Sequence, residues 1–104
     1  MIRLEEVLEV LPKTIKIGGL TYDVILVEDR NFESAKQNTG SGNIAYQKIW
    51  LEYGKRNIEG IIDDLLHELV EIIGVQCDLG LDHKTVSTLA TMLHQVLRDS
   101  HLKI

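Results

Sequence analysis

A single cysteine, Cys77, leaves the chain without a partner for an internal disulfide and cannot by itself make a cysteine-based zinc site. It reads as a small loop or core residue. No apolar stretch approaches the ~18 residues that a membrane-spanning helix requires, and the start Met1-Ile2-Arg3-Leu4-Glu5-Glu6 is too acidic and too briefly apolar for a signal peptide. A cytoplasmic protein with no membrane partner is expected. Lys and Arg never run longer than Lys55-Arg56, so the basic patch that phosphate neutralisation demands is missing and nucleic-acid binding is disfavoured. There is no internal repeat, low-complexity run or linker. With 104 residues, 44% hydrophobic and 26% charged, the composition fits one compact domain spanning 1–104.

What the chain holds in excess is acid, unevenly placed. The formal net charge is −5, yet residues 59–82 contain seven acids (Glu59, Asp63, Asp64, Glu68, Glu71, Asp78, Asp82) and no Lys or Arg. The remaining residues carry nine acids against eleven bases. The acidic stretch is therefore where a cation is expected.

Leu4, Val7, Leu8 and Leu11 follow the i, i+3, i+4, i+7 spacing of one helical face, which Pro12 ends. Thr14 to Ile17 and Leu20 to Glu28 are β-branched, apolar-rich runs joined by Gly18-Gly19, a pair suited to a tight hairpin. Residues 29–43 have turn chemistry and are expected to form a loop. Asn43 to Tyr46 and Ile49 to Tyr53 read as further strand pieces, closed by Gly54. From Glu59 to Gly74, Ile61, Ile62, Leu65, Leu66, Leu69, Val70, Ile72 and Ile73 occupy one side of a helix, and Asp63, Asp64, His67, Glu68 and Glu71 the other. Asp82 is a good N-cap for a second helix reaching about Asp99, with Val86, Leu89, Ala90, Leu93, Val96 and Leu97 as its expected buried stripe. The order predicts an α+β domain, a short antiparallel sheet of three to four strands followed by two packed helices.

The residues able to carry chemistry are His67-Glu68-Leu69-Val70-Glu71 and His83. Positions i and i+4 share a helix face, so His67 and Glu71 can reach one point, as two ligands of one metal must. In the zinc-protease pattern H-E-x-x-H the Glu takes a proton from water; here Glu71 replaces the second His. His83 opens the second helix, and residues 75–82 can extend about 26 Å at ~3.3 Å each, enough to return it beside the first. Two imidazoles and one carboxylate would make a common catalytic zinc set. The alternative is a plain amphipathic helix with a solvated polar face, His83 being only a helix-start residue behind its cap.

Leu65-Leu66-His67-Glu68, the second-helix residues Val86, Leu89, Ala90, Leu93, Gln95, Val96, Leu97 and Asp99, and the start Ile17-Gly18-Gly19-Leu20-Thr21-Tyr22-Asp23-Val24 together resemble the minimal zincin-like metallopeptidase family of small bacterial and phage proteins. His83 stands where that family has its third-ligand Glu. The resemblance implies a zincin-like fold, Zn²⁺ or another divalent metal held by His67, Glu71 and His83, and Glu68 as general base. It implies a hydrolase acting on a peptide or protein. The rival reading is a non-catalytic interaction protein, phage-encoded, that keeps the fold and a structural or vestigial metal.

Other candidates have two readings each. His94 lies about 16 Å along the second helix from His83 and cannot share its metal; a partly buried side chain is expected. His101 falls in a frayed C-terminus. Tyr46 and Trp50 either line a substrate groove or pack as strand aromatics. Asp63 and Asp64 either orient ligand imidazoles or serve the helix dipole.

Overall fold

The computed structural model describes residues 4–28, 40–43, 46–54 and 56–100. The start of the chain, most of the expected loop at 29–43, part of the expected strand Asn43 to Tyr46, and His101 lie outside these residues. Helix α1 (Leu4–Val10) stops before Pro12, with the Leu11 amide donating to the Val7 carbonyl. Val7 and Leu11 are buried in the core, whereas Leu8 is half exposed.

Strands β1 (Thr14–Ile17) and β2 (Leu20–Val27) form the expected hairpin, pairing Ile17 with Leu20. Gly18 takes φ +61°, the left-handed conformation that a glycine adopts at little cost. Strands β3 (Gly40–Asn43) and β4 (Lys48–Glu52) pair antiparallel, Asn43 opposite Lys48. The sheet order is β1-β2-β4-β3, and β4 runs parallel to β2, Asp23 opposite Lys48 and Val27 opposite Glu52. The expected all-antiparallel sheet is thus a mixed one. The chain between β2 and β4 makes the long connection that parallel strands require, and places β3 on the outer edge.

Alternation along the strands turns Ile15, Ile17, Tyr22, Val24, Leu26, Ile49 and Leu51 to one face, where they meet Ile61, Leu65 and Ile72 of helix α2 (Ile58–Gln76). Asn57 caps α2 by accepting the Gly60 amide at 2.8 Å. At its other end Gln76 accepts a hydrogen bond from the buried Tyr22 hydroxyl and donates to the Ile17 carbonyl at 3.1 Å, tying α2 to the hairpin. Burial raises the Tyr22 hydroxyl above its ordinary pKa.

Helix α2 ends in a Schellman turn. The Leu79 amide donates to the Gly74 carbonyl at 2.8 Å, the Asp78 amide to Val75 at 3.2 Å, and Asp78 takes φ +54° where glycine is the usual residue. Helix α3 (His83–Ser100) then starts behind Asp82, whose carboxylate accepts the Thr85 amide at 2.8 Å. This hydrogen-bonding to Thr85, helped by His83, holds the Asp82 carboxyl below the usual aspartate range.

Val86 and Ala90 are buried against Val70, with Leu66 and Leu81 beside them, in a second small cluster. Only Val86 and Ala90 of the expected stripe are buried: Leu97 is partly buried, and Leu89, Leu93 and Val96 are each 44% exposed. The apolar arc of α3 is wider than the surface α2 offers, so Val86 and Ala90 are covered and the other side of the arc is not. The architecture is α+β, a mixed sheet followed by two packed helices.

Candidate functional site

His67 sits midway along α2, half buried, and His83 is the first residue of α3. Their ring centroids lie 5.4 Å apart at an interplanar angle of 56°. The turn between the helices makes this possible. Leu81 packs directly on Gly74, where an added Cβ would lie 3.0 Å from Leu81 Cδ1, and Asp82 fixes where α3 begins. His83 Nε2 also lies 3.4 Å from Ser87 Oγ, one helical turn on.

Glu71 is exposed one turn after His67 and lines a cavity of about 310 Å³ together with His83, Asp78, Val75, Leu81 and Val86. Glu68 is only 5% exposed. The structure therefore brings His67 to His83, and Glu71 to the cavity that His83 shares. Among the described residues, no group of three or more His, Cys, Asp or Glu side chains is placed to hold a metal ion. The donor types suit Zn²⁺, and the two imidazoles are adjacent across the helix junction; the carboxylate of Glu71 is near but not gathered with them.

The neighbouring acids have partners that the sequence did not reveal. Asp63 Oδ1 lies 3.5 Å from His94 Nδ1, and Glu59 Oε1 lies 2.9 Å from Nε2 of the same ring. Two carboxylates thus bracket opposite nitrogens of one imidazole. Arg98 Nη1 also approaches Glu59 at 3.8 Å. The expectation of a partly buried His94 holds, its side chain being 12% exposed. Its partners were legible only as the i, i+4 pair Glu59 and Asp63 on the α2 face that leads to His67.

Asp64 receives a two-pronged contact from Arg56, at 2.9 Å from Nη2 and 3.1 Å from Nε, and Arg56 Nη2 also donates to the Gly60 carbonyl at 3.0 Å. Hence Asp63 serves His94 and Asp64 serves Arg56. Trp50 alternates with the buried Ile49 and Leu51, which puts it on the sheet face turned away from α2; Tyr46 is 71% exposed in the turn before β4. Neither lines the cavity beside His83. Cys77, at the C-cap of α2, is an exposed free thiol, and no described helix is long and apolar enough to cross a membrane. No protein-family profile, no curated protein and no solved structure matches the chain.

Proposed function

We propose that the chain is a zinc-dependent hydrolase acting on peptide bonds, a small metallopeptidase of the bacterial and phage zincin-like type, with His67, Glu71 and His83 as metal ligands. The observation that carries this reading is the meeting of His67 and His83 across the α2–α3 junction, 5.4 Å between ring centroids. Residues far apart in sequence, both of the commonest zinc-ligand type, are aligned by a built turn rather than left on separate solvated faces. Glu71 lines the cavity beside His83, which supports it as the carboxylate ligand and gives a substrate room to approach.

Bound zinc would supply Lewis acidity toward a peptide carbonyl and toward a water molecule. The chain's own residues do the rest. Glu68 follows His67 on the same helix and acts as general base, taking the water's proton and passing it to the departing amine. Its burial keeps the carboxylate from bulk solvent, so its side chain must turn toward the cavity for that transfer. Val75, Leu81 and Val86 give the cavity an apolar wall that limits competing water.

Two observations favour a second reading, a non-catalytic interaction protein with a structural or vestigial metal site: three donors are not gathered among the described residues, and Glu68 is buried. Metal analysis of the purified protein, with a peptide panel, separates the two. The hydrolase requires stoichiometric zinc that His67→Ala and His83→Ala abolish, and turnover that Glu68→Gln abolishes with zinc retained. Zinc without turnover in the wild type leaves the second reading, and absence of zinc removes the hydrolase.

A further inference from the structure

Helix α3 buries only part of its apolar surface. Leu89, Met92, Leu93 and Val96 follow the i, i+3, i+4, i+7 spacing of one face, and all are 44–52% exposed. Around the helix this face is centred about 130° from His83 and about 90° from the covered Val86 and Ala90, so it flanks the contact with α2. We propose that it is a docking surface for a second copy of this chain, forming a two-fold antiparallel pair of α3 helices.

The pattern is its own complement. With the two-fold axis between Met92 and Leu93, Leu89 meets Val96 of the second copy and Met92 meets its Leu93, so each apolar residue finds an apolar counterpart, as an isologous interface requires. Small polar residues continue the match, Thr85 meeting Ser100 of the second copy. Charge points the same way. The chain carries −5 overall, with seven acids between residues 59 and 82, so most approaches of one copy to another bring acid against acid. Helix α3 carries two bases and one acid, Lys84, Arg98 and Asp99, all at its ends, and none between Thr85 and Leu97. The antiparallel arrangement brings Asp99 level with the N-terminal turn of the other α3, opposite Val86, which is favourable for that helix's dipole.

An anionic membrane is the poorer occupant, because it calls for basic residues flanking the apolar face, and Arg98 is already engaged by Asp99 at 3.0 Å and by Glu59. The size of the face sets the strength. Roughly 300–400 Å² per copy gives about 600–800 Å² in the pair, under the ~1,200 Å² of a stable complex, so the dimer is weak and driven by concentration.

Sedimentation velocity of the full chain from about 10 μM to 1 mM tests this, with a dissociation constant near 10⁻⁴ M expected. Leu93→Glu and Met92→Lys replace exposed side chains and should each weaken association at least tenfold with the helical circular dichroism unchanged. If Leu93→Glu does not fold, Met92→Lys and the wild type decide, since dilution-dependent amide shifts in the wild type should be confined to Thr85 through Ser100. The proposal is overturned by a monomer at every concentration, by a dimer that survives either substitution, by dilution shifts centred elsewhere, or by a monomer that instead binds phosphatidylglycerol vesicles through this face.

Discussion

Replacing Gly74 by alanine sets two opposing effects against each other at the turn that aligns the candidate ligands. Glycine within a helix costs about 1 kcal/mol relative to alanine, so substitution alone should stabilise α2. A Cβ at this position, however, would lie 3.0 Å from Leu81 Cδ1, 3.3 Å from its Cγ and 3.6 Å from its Cβ. Turning the tip of Leu81 relieves the first contact but not the second, so the segment leading to His83 has to move by a few tenths of an ångström. Overpacking of this kind costs about 1–3 kcal/mol. The expected balance is a loss of about 0–2 kcal/mol, read by urea denaturation followed in the far ultraviolet, or a fall in Tm of up to about 10 °C. Because Leu81 stands two residues before His83, zinc affinity measured by calorimetry should fall about tenfold, equivalent to ~1.4 kcal/mol. Adding Leu81→Ala should remove the clash, giving a favourable coupling above about 0.5 kcal/mol in the double-mutant cycle. A Gly74→Ala protein more stable by the full ~1 kcal/mol, with zinc affinity within about twofold of wild type, would refute the reasoning.

Three further outcomes are expected. Arg56→Met removes both contacts to Asp64, whose side chain is 15% exposed, and should cost about 1–2 kcal/mol in urea denaturation after allowing for the 31% exposure of Arg56; a change below about 0.5 kcal/mol would show the clamp to be incidental. Asp78→Gly places at φ +54° the residue best suited to it and removes an acid from a helix C-terminus, so a gain of about 0.5–1 kcal/mol is expected, and any loss counts against the strain argument. The Asp82 cap has a lowered folded pKa, so its contribution is present above the ordinary aspartate pKa and lost as pH falls through the folded value, below about pH 4. Amide exchange at Thr85 and Val86 should accelerate in that window in the wild type and stay level in Asp82→Asn, which caps without titrating; equal acid sensitivity in both would reject this origin.

Much of the fold was legible because its signals are local. The hairpin at Gly18-Gly19, the 3.6-residue period of α2 and the cap at Asp82 each follow from a few adjacent side chains. Strand β3 was not legible, since Gly40-Ser41-Gly42-Asn43 has turn composition and becomes a strand through pairing with β4. The parallel partnership of β2 and β4 depends on where β3 lies, so it was hidden with it. In α3 the period showed an apolar arc but not which part of it α2 would cover. At the candidate site, spacing and reach allowed His83 to approach His67, whereas the commitments of Asp63 to His94 and Asp64 to Arg56 needed coordinates, because both partners lie outside the acidic stretch.

Those commitments change what the acidic stretch means. Glu59 and Asp63 face His94, Asp64 is held by Arg56, and Asp82 caps α3, so four of the seven acids have work within the fold itself. A share of the negative charge is therefore matched by cations that the chain supplies, and the raw count overstates the pull on an external ion. What faces the cavity is a smaller set, Glu71 and Asp78 with the imidazole of His83, and His67 beside it. Helix α3 is anchored at two polar points, the His67–His83 pair near its start and the His94 bracket near its end, with only Val86 and Ala90 buried between. Burying one valine and one alanine contributes a few kcal/mol at most. The first of those anchors is also the candidate metal site, so an ion joining the two imidazoles would act on an element with little apolar support, and its binding energy would appear as tighter docking of α3 before it appeared as chemistry.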